Sequence, residues 1–175
     1  MASIEELKQA RIAKIEKLKK AGMDPYPATI LRDYSISEVK TSFADLASKS
    51  ETNPISIAGR VMIVRGQGAI LFIVLQDGKD RLQAVLKKDV LSADSFSLFV
   101  DTVDNGDFIS VTGSLFVTDR GEQSILIKDW KMGAKALLPL PDKWGGLQDV
   151  EERFRKRYLD FITTPELQDI FIKKA

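Results

Sequence analysis

Cysteine and histidine are both absent from this 175-residue chain. Without cysteine there is no disulfide framework and no thiolate metal site. Without histidine, imidazole catalysis and the commonest transition-metal ligand are excluded too. Long apolar runs are also missing, and the longest are far too short to span a bilayer as a helix. Charge of one sign is lacking as well, since 26 Lys and Arg face 25 Asp and Glu for a net charge of +1, so no global basic field surrounds the molecule. What remains, 44% apolar and 29% charged residues, describes a soluble globular protein with enough chain for one core and an accessory element. The charged, helix-patterned N-terminus is no secretory signal, so a cytoplasmic location with no membrane partner is expected.

The most informative stretch runs from Arg65 to Gln83. The apolar runs Ile70–Leu75 and Leu82–Leu86 flank the turn cluster Asp77-Gly78-Lys79-Asp80, a β-hairpin pattern, and a second turn at Gly66-Gln67-Gly68 follows another apolar run, Ile55–Val64. These segments form a three-stranded meander with Arg65 before its second strand, Phe72 within it and Gln83 on its third. On a curved sheet an aromatic face and two polar arms can bind one unstacked base. The same residues also read as a core phenylalanine between two solvated polar side chains. Strand two is apolar throughout, so parity does not say which way Phe72 points, and simple alternation along strand one places Arg65 on the apolar face unless a bulge or the strand end re-aims it.

Upstream, Ser3-Ile4-Glu5-Glu6 is a capping box opening a helix that Gly22 ends, with Ile4, Leu7, Ile15 and Leu18 on one stripe and Arg11 interrupting it. Residues 1–22 hold six Lys and Arg against three Glu, so Lys8, Arg11, Lys14 and Lys17 are candidate contacts to a nucleic-acid backbone, although most such faces are only solvated. The Asp24-Pro-Tyr-Pro27 segment is an extended linker. A short helix is expected over about 37–47, with Val39, Phe43 and Leu46 on one side. Gly59 marks a bulge or bend in strand one. Downstream, residues 90–101 are helical in pattern. Asn105-Gly106-Asp107 turns into a fourth strand carrying Ile109, Val111, Leu115 and Val117, and Asp119-Arg-Gly-Glu122 turns into a fifth at Ser124–Met132. The order βββ-α-ββ with a glycine-bent first strand is that of a five-stranded OB-fold barrel. The fold class is mainly β with flanking helices: an N-terminal helical extension at 1–54, the barrel at 55–134, and a linker with the start of a further domain at 135–175. The barrel segment 55–132 carries nine Lys and Arg against ten Asp and Glu. That balance favours selective reading of a few bases over sequence-blind tracking of phosphates.

The tail begins with a connector over 138–146. Asp149 is then the N-cap of a helix with Val150, Phe154, Tyr158 and Phe161 on one side, and Thr164-Pro165 opens another with Leu167, Ile170 and Phe171. An amphipathic helix with nothing to cover it gives the expectation of a truncated larger protein.

Several stretches together resemble the N-terminal, anticodon-binding portion of bacterial-type class II lysyl-tRNA synthetase. They are Asp24-Pro-Tyr-Pro27, Ala58-Gly-Arg-Val-Met62, the Arg65/Phe72/Gln83 spacing, Gly121-Glu122-Gln-Ser124, Lys135-Ala-Leu-Leu-Pro-Leu-Pro-Asp-Lys-Trp144, and Gly146-Leu-Gln-Asp149 leading into Arg153–Phe161. The resemblance covers essentially the whole chain, and its only noted departure is Gly145, where many relatives carry histidine. It implies recognition of the tRNA(Lys) anticodon loop: the central uridine stacks on Phe72 and is hydrogen-bonded through Arg65 and Gln83, with Glu122 contacting the anticodon beside the same pocket. It also implies a parent enzyme, a homodimer, that joins lysine to tRNA using ATP and magnesium. That enzyme's catalytic motifs begin beyond residue 175, so this segment is expected to need no cofactor and to catalyse nothing. Two other readings are an aspartyl- or asparaginyl-type anticodon domain, and a free-standing OB protein that binds single strands or partner proteins. Within the pocket, the Gln83 amide can match uridine or cytosine by rotating half a turn. Something must therefore fix it, and the Glu122 carboxylate is the expected acceptor.

Overall fold

The computed structural model describes residues 3–66, 68–78, 80–141, 149–164 and 166–174. It divides into two units, Met1–Leu138 and Pro139–Ala175.

The first unit is built on five strands, β1 (Ile55–Arg65), β2 (Ile70–Asp77), β3 (Asp80–Lys87), β4 (Phe108–Val117) and β5 (Gln123–Ala134). They close into a barrel in the order β1-β2-β3-β5-β4, the OB-fold architecture. All neighbours are antiparallel except β3 and β5, which meet in parallel over Gln83–Val85 and Ser124–Leu126. Closure requires one strand to serve two partners. Residues 55–60 of β1 pair with β4, and residues 60–65 pair with β2. Gly59 sits just before that exchange, where a Cβ would meet the Gln76 carbonyl oxygen at 3.0 Å, so its lack of a side chain admits the crossing strand. The bulge itself lies two residues on, between Val61 and Ile63.

Inside the barrel, Ile57, Val61, Ile73, Leu75, Leu86, Ile109, Val111, Ile125 and Ile127 are fully buried. Helix α4 (Ala93–Thr102) joins β3 to β4 and adds Phe96 and Phe99 to this core. It begins one turn later than its sequence pattern suggests because Ser92 caps it, accepting from the Ser95 amide. Phe99 meets Trp130 edge to face with ring centroids 5.0 Å apart, and the Trp130 indole N–H donates to Ser95, so this large aromatic is buried with its polar atom satisfied.

Before the barrel come α1 (Ile4–Lys20), α2 (Ile36–Thr41) and α3 (Phe43–Ser50). The capping box on α1 forms, with Ser3 and Glu6 bonding reciprocally. Its apolar stripe is only half used: Leu18 is buried, whereas Ile4 is 67% exposed. The single helix expected over 37–47 is two helices. Ser42 leaves helical geometry at φ −111°, ψ 29°, which re-aims Phe43 and Leu46 into the core beside Ile36 and Val39. Ser50 ties α3 to the barrel, its hydroxyl accepting from the Leu115 amide at 2.8 Å.

A polar cluster fastens α1 to the exit of β5. The Lys135 ammonium is fully buried between Asp104 Oδ2 at 2.5 Å and Asp107 Oδ2 at 2.7 Å. Asp107 also accepts from the Asp104 and Ala136 amides. Burial alone would raise the Asp104 carboxyl, but hydrogen bonds from Lys135 and Lys14 outweigh it and hold the group below the ordinary aspartate value.

In the second unit, α5 (Val150–Arg155), α6 (Arg157–Thr163) and α7 (Glu166–Lys174) follow Asp149, which caps α5 by accepting from the Glu151 and Glu152 amides. The continuous helix expected from Asp149 is interrupted at Lys156, whose φ of −113° and ψ of 52° end the first segment. Asp160, fully buried, receives Arg153 at 3.0 Å and Arg157 at 2.8 Å across that break. Phe161 and Phe171 pack edge to face at 5.0 Å. Most of the connector expected at 138–146, together with Gly145 and Pro165, lies outside the described residues. Among the described residues no helix is long and apolar enough to cross a membrane.

Candidate nucleic-acid interface

The bulge in β1 decides what the barrel displays. Ile55, Ile57 and Val61 point inward by simple alternation. Val61 pairs with Leu75, yet the next pair is Ile63 with Val74, leaving Met62 as the extra residue. One extra residue reverses the parity of everything beyond it. Val64 therefore joins Ile73 on the inner face, and Arg65 joins Phe72 on the outer one. Gly66 then turns the chain at φ +116°, where a Cβ would lie 2.5 Å from the Ile70 carbonyl oxygen.

On β2, Leu71, Ile73 and Leu75 are buried, which sends Phe72 outward with 37% of its surface exposed. Its partner across β3 is Val85, and two residues before Val85 on the same face stands Gln83, opposite Val74. Two strand residues span about 7 Å, so the ring, the guanidinium and the amide share one patch of roughly the size of a base. Arg65 is exposed and forms no ion pair among the described residues. It is thus an exposed planar donor beside an aromatic face.

The Gln83 amide is not free. Its Nε2 donates to Ser124 Oγ at 3.0 Å, and the Ser124 hydroxyl donates to the Glu122 main-chain carbonyl at 3.2 Å. The partner of the amide is therefore this buried hydroxyl and not the Glu122 carboxylate. Ser124 stands in register with Gln83 across the parallel β3–β5 pair. That pairing joins strands separated by a helix and another strand, so no local pattern in the sequence announces it. Glu122 itself is exposed in the β4–β5 hairpin, which closes through its own amide to Thr118 Oγ1 at 3.1 Å and through the Thr118 amide to its carbonyl at 3.0 Å. Its carboxylate makes no hydrogen bond or ion pair among the described residues, and it extends the exposed rim beside Gln83.

The four cations proposed on α1 separate into two pairs. Arg11 is buried, its guanidinium donating to the carbonyls of Ala136, Leu138 and Asn105 at 2.9 to 3.2 Å. Lys14 reaches Asp104 at 2.6 Å. Arg11 is committed to the fold, because the main-chain carbonyls of Ala136 and Leu138 beyond β5 take their donor from it, and Lys14 is held by the Asp104 carboxylate. Lys17 stays on the surface, 3.5 Å from an equally exposed Asp101, and Lys8 is partly exposed.

A closed barrel presenting an aromatic ring, an exposed arginine and a fixed amide on the face of its second and third strands has the architecture of an OB module. Residues 55–132 match the tRNA_anti-codon family, described as the OB-fold nucleic acid binding domain. Beyond the barrel, the chain is homologous to lysine–tRNA ligases along nearly its whole length. It is 40% identical to the lysine–tRNA ligase of Synechococcus sp. strain CC9605 over 174 residues, covering 97% of this chain and 35% of that protein. Identity is 42% over 171 residues to the ligase of Synechococcus sp. strain CC9311, covering 97% and 35%. It is 37% over 172 residues to that of Carboxydothermus hydrogenoformans, covering 98% and 34%. The chain spans about a third of the length of the curated relatives it matches.

Proposed function

We propose that the barrel reads the anticodon loop of tRNA(Lys), with one base stacked on Phe72 and its edge bonded by Arg65 and Gln83, while Glu122 contacts the anticodon beside the same pocket. The observation that carries this reading is the bulge at Met62, which turns Arg65 from the core to the side of Phe72. A scaffold role would gain nothing from exposing a ring and a cation there. The near-neutral barrel fits a module that selects bases rather than tracking phosphates. The full-length protein is proposed to join lysine to tRNA using ATP and magnesium, as a cytoplasmic homodimer. ATP and magnesium are assigned to the remainder of the ligase, and this segment alone is expected to be inactive. The division into 1–54, 55–134 and 135–175 belongs to the same proposal, supported at its second boundary by the end of β5 at Ala134.

The test is binding of the 175-residue chain to a tRNA(Lys) anticodon stem-loop, compared with the same hairpin made abasic at the central anticodon position. Loss of the base should weaken binding by about 1–3 kcal/mol, the usual stacking contribution. Equal binding of both hairpins would leave only sequence-blind association and overturn the reading.

A further inference from the structure

A primary amide carries opposite chemistry at its two ends, and the two pyrimidines carry opposite chemistry on their pairing edges. Uridine offers an N3–H donor beside the O4 acceptor; cytosine offers the N3 acceptor beside an N4 donor. A freely turning glutamine satisfies both and selects neither. Selection requires a group that distinguishes Nε2 from Oε1, and the Ser124 hydroxyl does so because it has only one proton. That proton is directed at the Glu122 carbonyl, 3.2 Å away, so only the oxygen lone pairs face the amide. Nε2 fits there at 3.0 Å, whereas Oε1 in its place would oppose them. Nor is the hydroxyl loosely held. Ser124 has no exposed surface, and its strand is in register with both β3 and β4.

We propose that Ser124 is a positioning residue that locks the Gln83 amide in one orientation, and that this lock makes the pocket discriminate uridine from cytosine. The inference rests on the reading of this face as a base-binding site and deepens it. Turning the amide over requires the hydroxyl to leave the Glu122 carbonyl, which keeps its bond from the Thr118 amide. The penalty is therefore one neutral hydrogen bond, a preference of roughly three- to tenfold between the two bases.

The experiment uses the 175-residue chain and three anticodon stem-loops that differ only in carrying U, C or no base at the central position. The parent chain should bind the U and C hairpins with affinities at least threefold apart. Ser124→Ala should bring that ratio close to one while leaving affinity for the abasic hairpin within about twofold, and Ser124→Thr, which keeps the hydroxyl, should restore the ratio. A merely structural serine would lower all three affinities together, and that result, or an unchanged ratio in Ser124→Ala, overturns the proposal. A parent chain that treats U, C and abasic hairpins alike removes the base-binding reading as well, which separates the two failures. A measurement on the unliganded parent chain needs no variant to fold: nitrogen relaxation of the Gln83 side-chain amide should show it nearly as rigid as backbone. Free rotation there would also overturn the lock.

Discussion

Replacing Phe72 separates packing from base recognition, provided the right substitution is chosen. The ring is 37% exposed, so roughly three-fifths of a side chain that buries some 200 Å² in full is already covered, and truncation to alanine should cost about 2–3 kcal/mol of stability by area. That loss is tolerable within the 5–15 kcal/mol typical of a domain, so Phe72→Ala should still fold. Any change in binding would nonetheless be mixed with a loosened sheet. Phe72→Leu keeps most of the covered surface and should cost under about 1.5 kcal/mol in stability. It removes the flat π-face, so affinity for the stem-loop should fall by about 1–3 kcal/mol. Phe72→Trp should recover it. Binding is read by titrating labelled stem-loop, and stability by urea unfolding of the same samples. The abasic hairpin is the control, because the leucine and parent chains should bind it equally. If Phe72→Leu binds the intact hairpin as well as the parent does, the ring is a packing residue and the stacking role is wrong.

Other expectations concern the ties between α1 and the barrel. Lys135→Met leaves two carboxylates facing each other, one fully buried, and should cost about 3–5 kcal/mol in urea unfolding. Adding Asp107→Asn removes the uncompensated charge while keeping an acceptor for the main chain, so the double variant should be more stable than the single one; further loss would refute the ion-pair account. The Asp104 carboxyl is held low in the folded state, so its contribution is complete above its unfolded value of about 3.9 and is lost as pH falls through the lower folded value. Acid titration should therefore show α1 and the 135–138 segment losing amide protection below about pH 4, and protection unchanged down to pH 2 would exclude the mechanism. For phosphate contact, Lys8→Gln with Lys17→Gln should reduce the slope of log affinity against log salt by about 1–2 without altering base preference. Deleting residues 1–22 is a poorer test, since it also removes Arg11 from the Ala136 and Leu138 carbonyls.

The barrel was legible because its strands are bounded by turn residues and its inner faces alternate, as at Leu82, Ala84 and Leu86. Helix breaks were less so. Val39, Phe43 and Leu46 fit a single helical stripe, and only the inward turn at Ser42 shows that packing divides it. Arg11 looked like an interruption in an apolar face, whereas it is the donor that the carbonyls of residues 136 and 138 need, a demand set more than a hundred residues away. Ser124 was visible within its motif, but its role follows from a parallel pairing that neither strand encodes alone. Arg65 is the clearest intermediate case. Alternation showed that it had to be re-aimed, and the ladder supplied the location of the bulge that does it.

That bulge makes the display on β1 a matter of counting. Any apolar residue of suitable size could replace Met62 and leave Arg65 beside Phe72, because the reversal comes from the presence of the extra residue and not from its identity. Loss of a single codon there would do what few substitutions can: restore strict alternation, drive the Arg65 guanidinium toward the barrel interior and push Val64 into solvent. The face is tolerant of spelling and intolerant of length, so variation along residues 61–65 should take the form of exchanges and almost never of insertions or deletions.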